Sequence, residues 1–154
     1  MKITIKQGLF SLFFVSGLCG ILYQIVWVRL AYAAFGIITP VLSVVISVFM
    51  LGLFLGSWYG GAIIELLEEK TKRSPILFYA FVELGIGAGA FIVPLLFRLS
   101  GSFLGLLGET NTFLYLLFSA VVIIVSVLPW CVLMGMTFPF VLKYLVISKI
   151  YILT

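Results

Sequence analysis

No histidine occurs in the 154 residues, and charged side chains make up only 9% of them. Without histidine a Ser-His-Asp set is impossible, and without a Cys-x-x-Cys pair a zinc or c-type haem site loses its usual ligands. The chain has two cysteines, Cys19 and Cys131. Each lies in an apolar run, where a thiol packs as a small hydrophobe rather than forming a disulfide or metal site. No glycine-rich phosphate loop, EF-hand or Walker pattern is present, and no soluble segment is long enough to fold such a site. The sequence therefore reads as non-catalytic, with no cofactor and no metal.

What the chain has is apolar mass. Hydrophobic residues account for 64% of it, and the mean hydropathy is +1.37. A soluble domain carries about 45–50% apolar and about 25% charged residues. A chain of this length has too much surface relative to volume to bury the excess in one core. Lipid is the medium that accommodates it. The fold expected is an all-α membrane protein of about four transmembrane helices, with the bilayer as its first partner.

The spans expected are residues 8–34, 41–64, 76–99 and 113–136, together forming a transmembrane module over residues 1–139. Between the first two, Phe35-Gly36-Ile37-Ile38-Thr39-Pro40 is a turn punctuated by glycine and proline. Glu65 to Arg73 reads as a solvated loop, and Ser74-Pro75 starts the third helix with proline in its first turn. Ser100 to Thr112 is a Gly- and Ser-containing connection. Phe113 to Leu142 carries no charge; as one helix it would be about 45 Å long against a hydrocarbon core of about 30 Å. Pro129, Gly135 and Pro139 are the places for a break. The expectation is a fourth span ending near Met136, with Pro139 opening a separate helical tail over residues 140–154.

The N-terminus imitates a signal peptide, with Lys2 and Lys6, an apolar run and then Ala31-Tyr32-Ala33. The run from Gly8 to Val28 exceeds the roughly 7–15 residues of a secretory apolar region, and Leu18 blocks a lipoprotein reading of Cys19. A retained first helix is expected. Lys2, Lys6, Lys70, Lys72, Arg73, Lys143 and Lys149 then fall on one side of the membrane, and only Arg29 and Arg98 on the other. That bias places both termini in the cytoplasm. The net charge of +4 is thus a topology signal rather than a nucleic-acid footprint.

Three constellations stand out. Gly52, Gly56 and Gly60 recur at four-residue spacing, as do Gly85 and Gly89, making grooves where another backbone can approach. They serve packing within the chain, a dimer seam or a sliding surface. Glu83 lies about 10 Å inside the third span, where a carboxylate must be neutralised, bonded or paired. Equal depth sets Ser57 and Gly56 of span two beside it, with Ser16 and Gly17 of span one. This polar site is either a hydrogen-bond knot or a proton- or substrate-handling carboxylate. Tyr23-Gln24-x-x-Trp27-x-Arg29 forms the third. Arg29 either snorkels to the interface beside Trp27, or Gln24 and Arg29 line an outer polar cavity that Arg98 shares and that suits an anion.

The segment Phe14-Val15-Ser16-Gly17-Leu18-Cys19-Gly20-Ile21-Leu22-Tyr23-Gln24-Ile25-Val26-Trp27-Val28-Arg29 resembles the start of membrane-bound spermidine synthase-like proteins. In these a major-facilitator-like membrane part precedes an aminopropyltransferase-like domain that acts in polyamine synthesis. The resemblance continues through Phe49-Met50-Leu51-Gly52-Leu53-Phe54-Leu55-Gly56-Ser57 with Gly60-Gly61. It returns at Tyr79-Ala80-Phe81-Val82-Glu83-Leu84-Gly85-Ile86-Gly87 and at Leu133-Met134-Gly135-Met136-Thr137-Phe138-Pro139. The resemblance implies a major-facilitator-like partial bundle in a bacterial inner membrane. Family members continue into further spans and a Rossmann-like domain, whereas this sequence stops soon after the fourth motif. The family's catalytic residues have no positions here to occupy. The expected role is a non-catalytic module, truncated or working with other membrane helices in a homo-oligomer or larger complex. Two further readings are a transporter-like half-bundle for a small solute and a structural subunit of a membrane complex.

Overall fold

The computed structural model describes the backbone of residues 2–36, 39–71, 74–106 and 112–153, and the side chains of 7–36, 39–71, 74–102 and 112–146. Four helices follow one another: α1 (Lys2–Phe35), α2 (Thr39–Thr71), α3 (Pro75–Leu106) and α4 (Thr112–Leu153). All four are long and apolar enough to cross a membrane. In lipid each span must satisfy its own backbone, which helices do internally. The architecture is an all-α four-helix membrane bundle.

The helix ends follow local chemistry. Gly36 terminates α1 with φ +89°, and its N–H bonds the Tyr32 carbonyl at 2.9 Å. Glycine reaches that left-handed conformation without the penalty a Cβ would impose. Tyr115 Oη donates to the Phe35 carbonyl at 2.9 Å, satisfying one of the acceptors a helix C-terminus leaves open. Pro40 and Pro75 both sit in first turns, where a missing N–H costs nothing.

Three boundaries differ from expectation. The charged stretch after Ile64 is not a loop as far as Thr71, because α2 runs on through it. Its Glu, Leu and Lys residues are good helix formers, and Lys70 in the last turn complements the helix dipole. Lys72 and Arg73 lie outside the described residues. Helix α3 passes Ser100 and continues to Leu106, leaving residues 107–111 of the expected connection outside the described set. Helix α4 is continuous through Pro129, Gly135 and Pro139, so neither the break near Met136 nor a separate tail helix is seen.

Pro139 has no N–H to give to the carbonyl four residues earlier, that of Gly135. Ser57 Oγ of α2 donates to that carbonyl instead, at 3.2 Å. One turn earlier, Thr137 Oγ1 donates to the Met134 carbonyl at 2.7 Å. Hydroxyls thus take up backbone acceptors around the proline, which is how a membrane helix tolerates it.

Helices α2 and α4 form the most extensive interface, α3 packs on the other flank of α4, and α2 scarcely touches α3. The glycines set the first seam. A Cβ on Gly52 would collide with Cys131, and one on Gly56 with the Val132 carbonyl oxygen and with Gly135 Cα at 2.8 Å. At Gly60 it would meet Pro139 Cγ at 2.7 Å. On the second flank, Gly85 faces Leu133 and Gly89 faces the Trp130 ring. The glycine stripes are therefore occupied within the chain.

Two apolar clusters fill the bundle. At the end distal to the termini, Trp27, Ala31 and Phe35 of α1 meet Val41, Val45, Val93, Phe97, Ile123 and Val127. At the terminal end, Leu9 joins Ile64, Tyr79, Val82, Ile86, Phe140 and Val141. Helix α1 otherwise remains outside: only 6% of its most apolar window is buried, against 33% in α2. Phe10, Phe14, Leu18, Leu22 and Ile25 are all exposed on it, as lipid-facing side chains are.

Candidate functional site

Helix α1 has its fully buried residues at Leu9 and from Trp27 to Phe35, and between these points its contact with α3 is open. A cleft of about 620 Å³ results. Ser16, Cys19 and Tyr23 line it from α1, and Tyr79, Ala80, Glu83 and Gly87 from α3. Tyr79, Glu83 and Gly87 are four residues apart and so share a helix face. Counted from Pro75, Glu83 is about 12 Å along α3 at the helical rise, well inside the span.

Glu83 Oε1 and Tyr79 Oη are both inaccessible to solvent, and neither makes a well-formed hydrogen bond to a described residue. They are neighbours, with Ser16 beside them. The remaining walls are apolar: Leu9, Leu12, Val15, Ile76, Leu84 and Ile86. Lys143, one of the cations nearest in sequence depth, is engaged by Glu65 at 3.1 Å in the ion pair between α2 and α4. Buried polar atoms in proteins are overwhelmingly bonded, and an acidic group within a membrane needs a partner more than most. The Glu83 carboxyl group is held in a mostly apolar cleft, with the Tyr79 and Ser16 hydroxyls among its few polar neighbours.

Of the polar residues expected together, Ser16 lines one cleft with Glu83 and another with Ser57, and neither cleft holds all three. Ser57 is elsewhere, because α2 meets α4 rather than α3. It lines a second cleft of about 310 Å³ with Phe13, Gly17, Gly20, Phe49, Met134 and Thr137. Ser16 touches both clefts, so α1 stands between them. Equal depth along the spans does not specify which helices are neighbours. Tyr79 and Cys19 were missed as site residues, and Tyr23 belongs to this cleft rather than to the outer constellation with Arg29. Tyr79 was legible, since it lies one turn before Glu83 on the same face.

At the distal end Arg98 lines a third cleft, of about 560 Å³, with Leu30, Ala33, Ala34, Pro94, Gly101 and Ser102. Gly101 lets α3 approach α1 there, since a Cβ would stand 3.3 Å from the Ala34 carbonyl oxygen. Neither Gln24 nor Arg29 belongs to this lining. Arg29 is exposed on α1 and Gln24 is half-buried, so the two arginines do not converge on one described cavity. Trp27 is no headgroup anchor: it is 1% exposed and its ring lies 5.2 Å from that of Tyr23.

Among the described residues no group of three or more His, Cys, Asp or Glu side chains gathers. Cys19 is exposed and Cys131 buried, both as free thiols. A carboxyl group at this depth can bind a proton or a cation. Comparison with protein-family models, curated proteins and solved structures gives no match, so the reading of this site rests on its geometry.

Proposed function

We propose that the chain is a non-catalytic membrane module of the kind that spermidine synthase-like membrane proteins carry ahead of their aminopropyltransferase-like domain. It anchors or partners other polypeptides through its helices. What supports this reading is the way the four resembling segments pair in space. The Gly52–Gly60 segment packs against Met134–Pro139, glycine to backbone. The Ser16–Tyr23 segment faces Tyr79–Gly87 across the Glu83 cleft. Segments remote in sequence thus serve two helix seams, as parts of one membrane unit would. The orientation that goes with it has both termini in the cytoplasm, from the distribution of lysine and arginine.

The chain, tagged at its native locus and extracted in mild detergent, tests this on a native gel. An aminopropyltransferase-like domain, fused or separate, is expected to comigrate with it at fixed stoichiometry. Migration with no such domain would overturn the proposal.

A second reading, a solute-binding half-bundle, is favoured by one observation: the buried Glu83 oxygen, without a well-formed hydrogen bond to a described residue, in a cleft of about 620 Å³. Pockets of about 300–1,000 Å³ suit small molecules. Uptake into vesicles that depends on pH and is lost in Glu83→Gln would support it. Unchanged uptake in that variant would remove Glu83 from any transport role.

A further inference from the structure

We infer that the α1–α3 cleft binds an amphiphile bearing one primary ammonium group on an apolar body. This deepens the solute-binding reading and is independent of the anchoring role. Glu83 Oε1 and Tyr79 Oη lie side by side, buried and without a well-formed hydrogen bond to a described residue, and Ser16 lines the facing wall. All three oxygens can accept a hydrogen bond. A primary ammonium brings three N–H donors and a positive charge to such a group, which a quaternary ammonium does not. Charge-assisted bonds of this kind are the strong ones, and more so where water is excluded.

The rest of the cleft restricts the ligand. Leu9, Leu12, Val15, Ile76, Leu84 and Ile86 offer nothing to a second charge, which would be buried without a partner at high cost. One charge and an apolar remainder therefore match the walls, whereas a diamine does not. The route in is lateral. Leu12, Val15, Ala80, Leu84 and Gly87 are exposed on the outer rim of the cleft, so a molecule dissolved in the bilayer reaches it without crossing the packed bundle. The rim is open at Gly87, where a Cβ would meet nothing within 4 Å.

The test uses the full chain in phosphatidylcholine nanodiscs with a long-chain alkylamine carrying a photoreactive diazirine, and maps the labelled peptides by mass spectrometry. Labelling is expected on α1 between Leu9 and Tyr23 and on α3 between Ile76 and Gly87. The unlabelled amine should compete; the chain-matched alcohol, quaternary analogue and diamine should not. Glu83→Gln should lower labelling about tenfold, as loss of one bond to a charged group implies. Ala80→Leu, which fills the cleft and leaves the carboxylate in place, should lower it as well, and keeps the test decisive if Glu83→Gln does not fold. Equal competition by the alcohol, labelling indifferent to both variants, or label spread over lipid-facing Phe54 and Val125 would overturn the inference. Such a failure leaves the comigration result untouched, and binding without vesicle uptake would sink transport alone.

Discussion

Ser57 Oγ donates to the Gly135 carbonyl at 3.2 Å, the acceptor that Pro139 leaves without an intrahelical amide. The proline and the serine lie on different helices, so the α4 backbone is completed by α2. This makes the two residues energetically coupled. Ser57→Ala alone should destabilise the folded protein by about 1 kcal/mol, the usual worth of such a bond inside a membrane protein. In a Pro139→Ala background the restored N–H can serve Gly135, and the same serine substitution should cost less. A double-mutant cycle read by denaturation in mixed micelles checks this. Additive effects would mean the serine does nothing for the proline.

The Gly56–Gly135 contact predicts an asymmetry between adjacent glycines of the same helix. A Cβ on Gly56 collides with backbone of α4, while one on Gly61 meets nothing within 4 Å. Backbone cannot swing aside as a side-chain tip can. Gly56→Ala should therefore destabilise by about 1–3 kcal/mol, as overpacking does. Gly61→Ala should be neutral or stabilising by up to about 1 kcal/mol through helix propensity. Thermal unfolding in detergent distinguishes the two, and equal effects would count against the α2–α4 seam.

These cases show what the sequence carried. Four apolar runs of membrane length and the glycine spacing were legible, because both depend on periodicity within one helix. The mate of each glycine stripe was not, because adjacency is a property of the bundle: Gly52, Gly56 and Gly60 face α4 rather than the α3 stripe. Ser57 was read as a companion of Glu83 for the same reason. Pro139 was read as a break because its local penalty, about 3 kcal/mol or more, is visible in sequence, whereas Ser57 and the packing of Gly60 against the proline ring are not. Glu83 could be found from depth alone, since any carboxylate that far into a span demands an explanation. The cleft between α1 and α3 that surrounds it could not, since it depends on which helices pack together.

The ion pair between Lys143 and Glu65 ties α4 to α2 at the terminal end, at 3.1 Å. Its side chains are 32% and 68% exposed, so water and salt screen it. Its coupling in a double-mutant cycle should be about 0–1 kcal/mol and should fade in molar salt. A coupling several times larger and insensitive to salt would place this pair in a drier setting than the exposure of Glu65 allows.

Sidedness supplies the last prediction. Lys70 lies in the last turn of α2, and Gly36 at the turn after α1, at opposite ends of the bundle. If basic residues hold the chain with its termini in the cytoplasm, the two ends must meet different solutions. In a background with Cys19 and Cys131 replaced by serine and alanine, Lys70→Cys should resist a membrane-impermeant maleimide in intact cells and react after permeabilisation. Gly36→Cys is strained at its positive φ, so Thr39→Cys, exposed at the start of α2, is the better outer reporter and should react without permeabilisation. Reversal of both results would invert the topology. The cleft of Glu83 would then lie nearer the outer leaflet, and the anchoring role would have to be sought on the other side of the membrane.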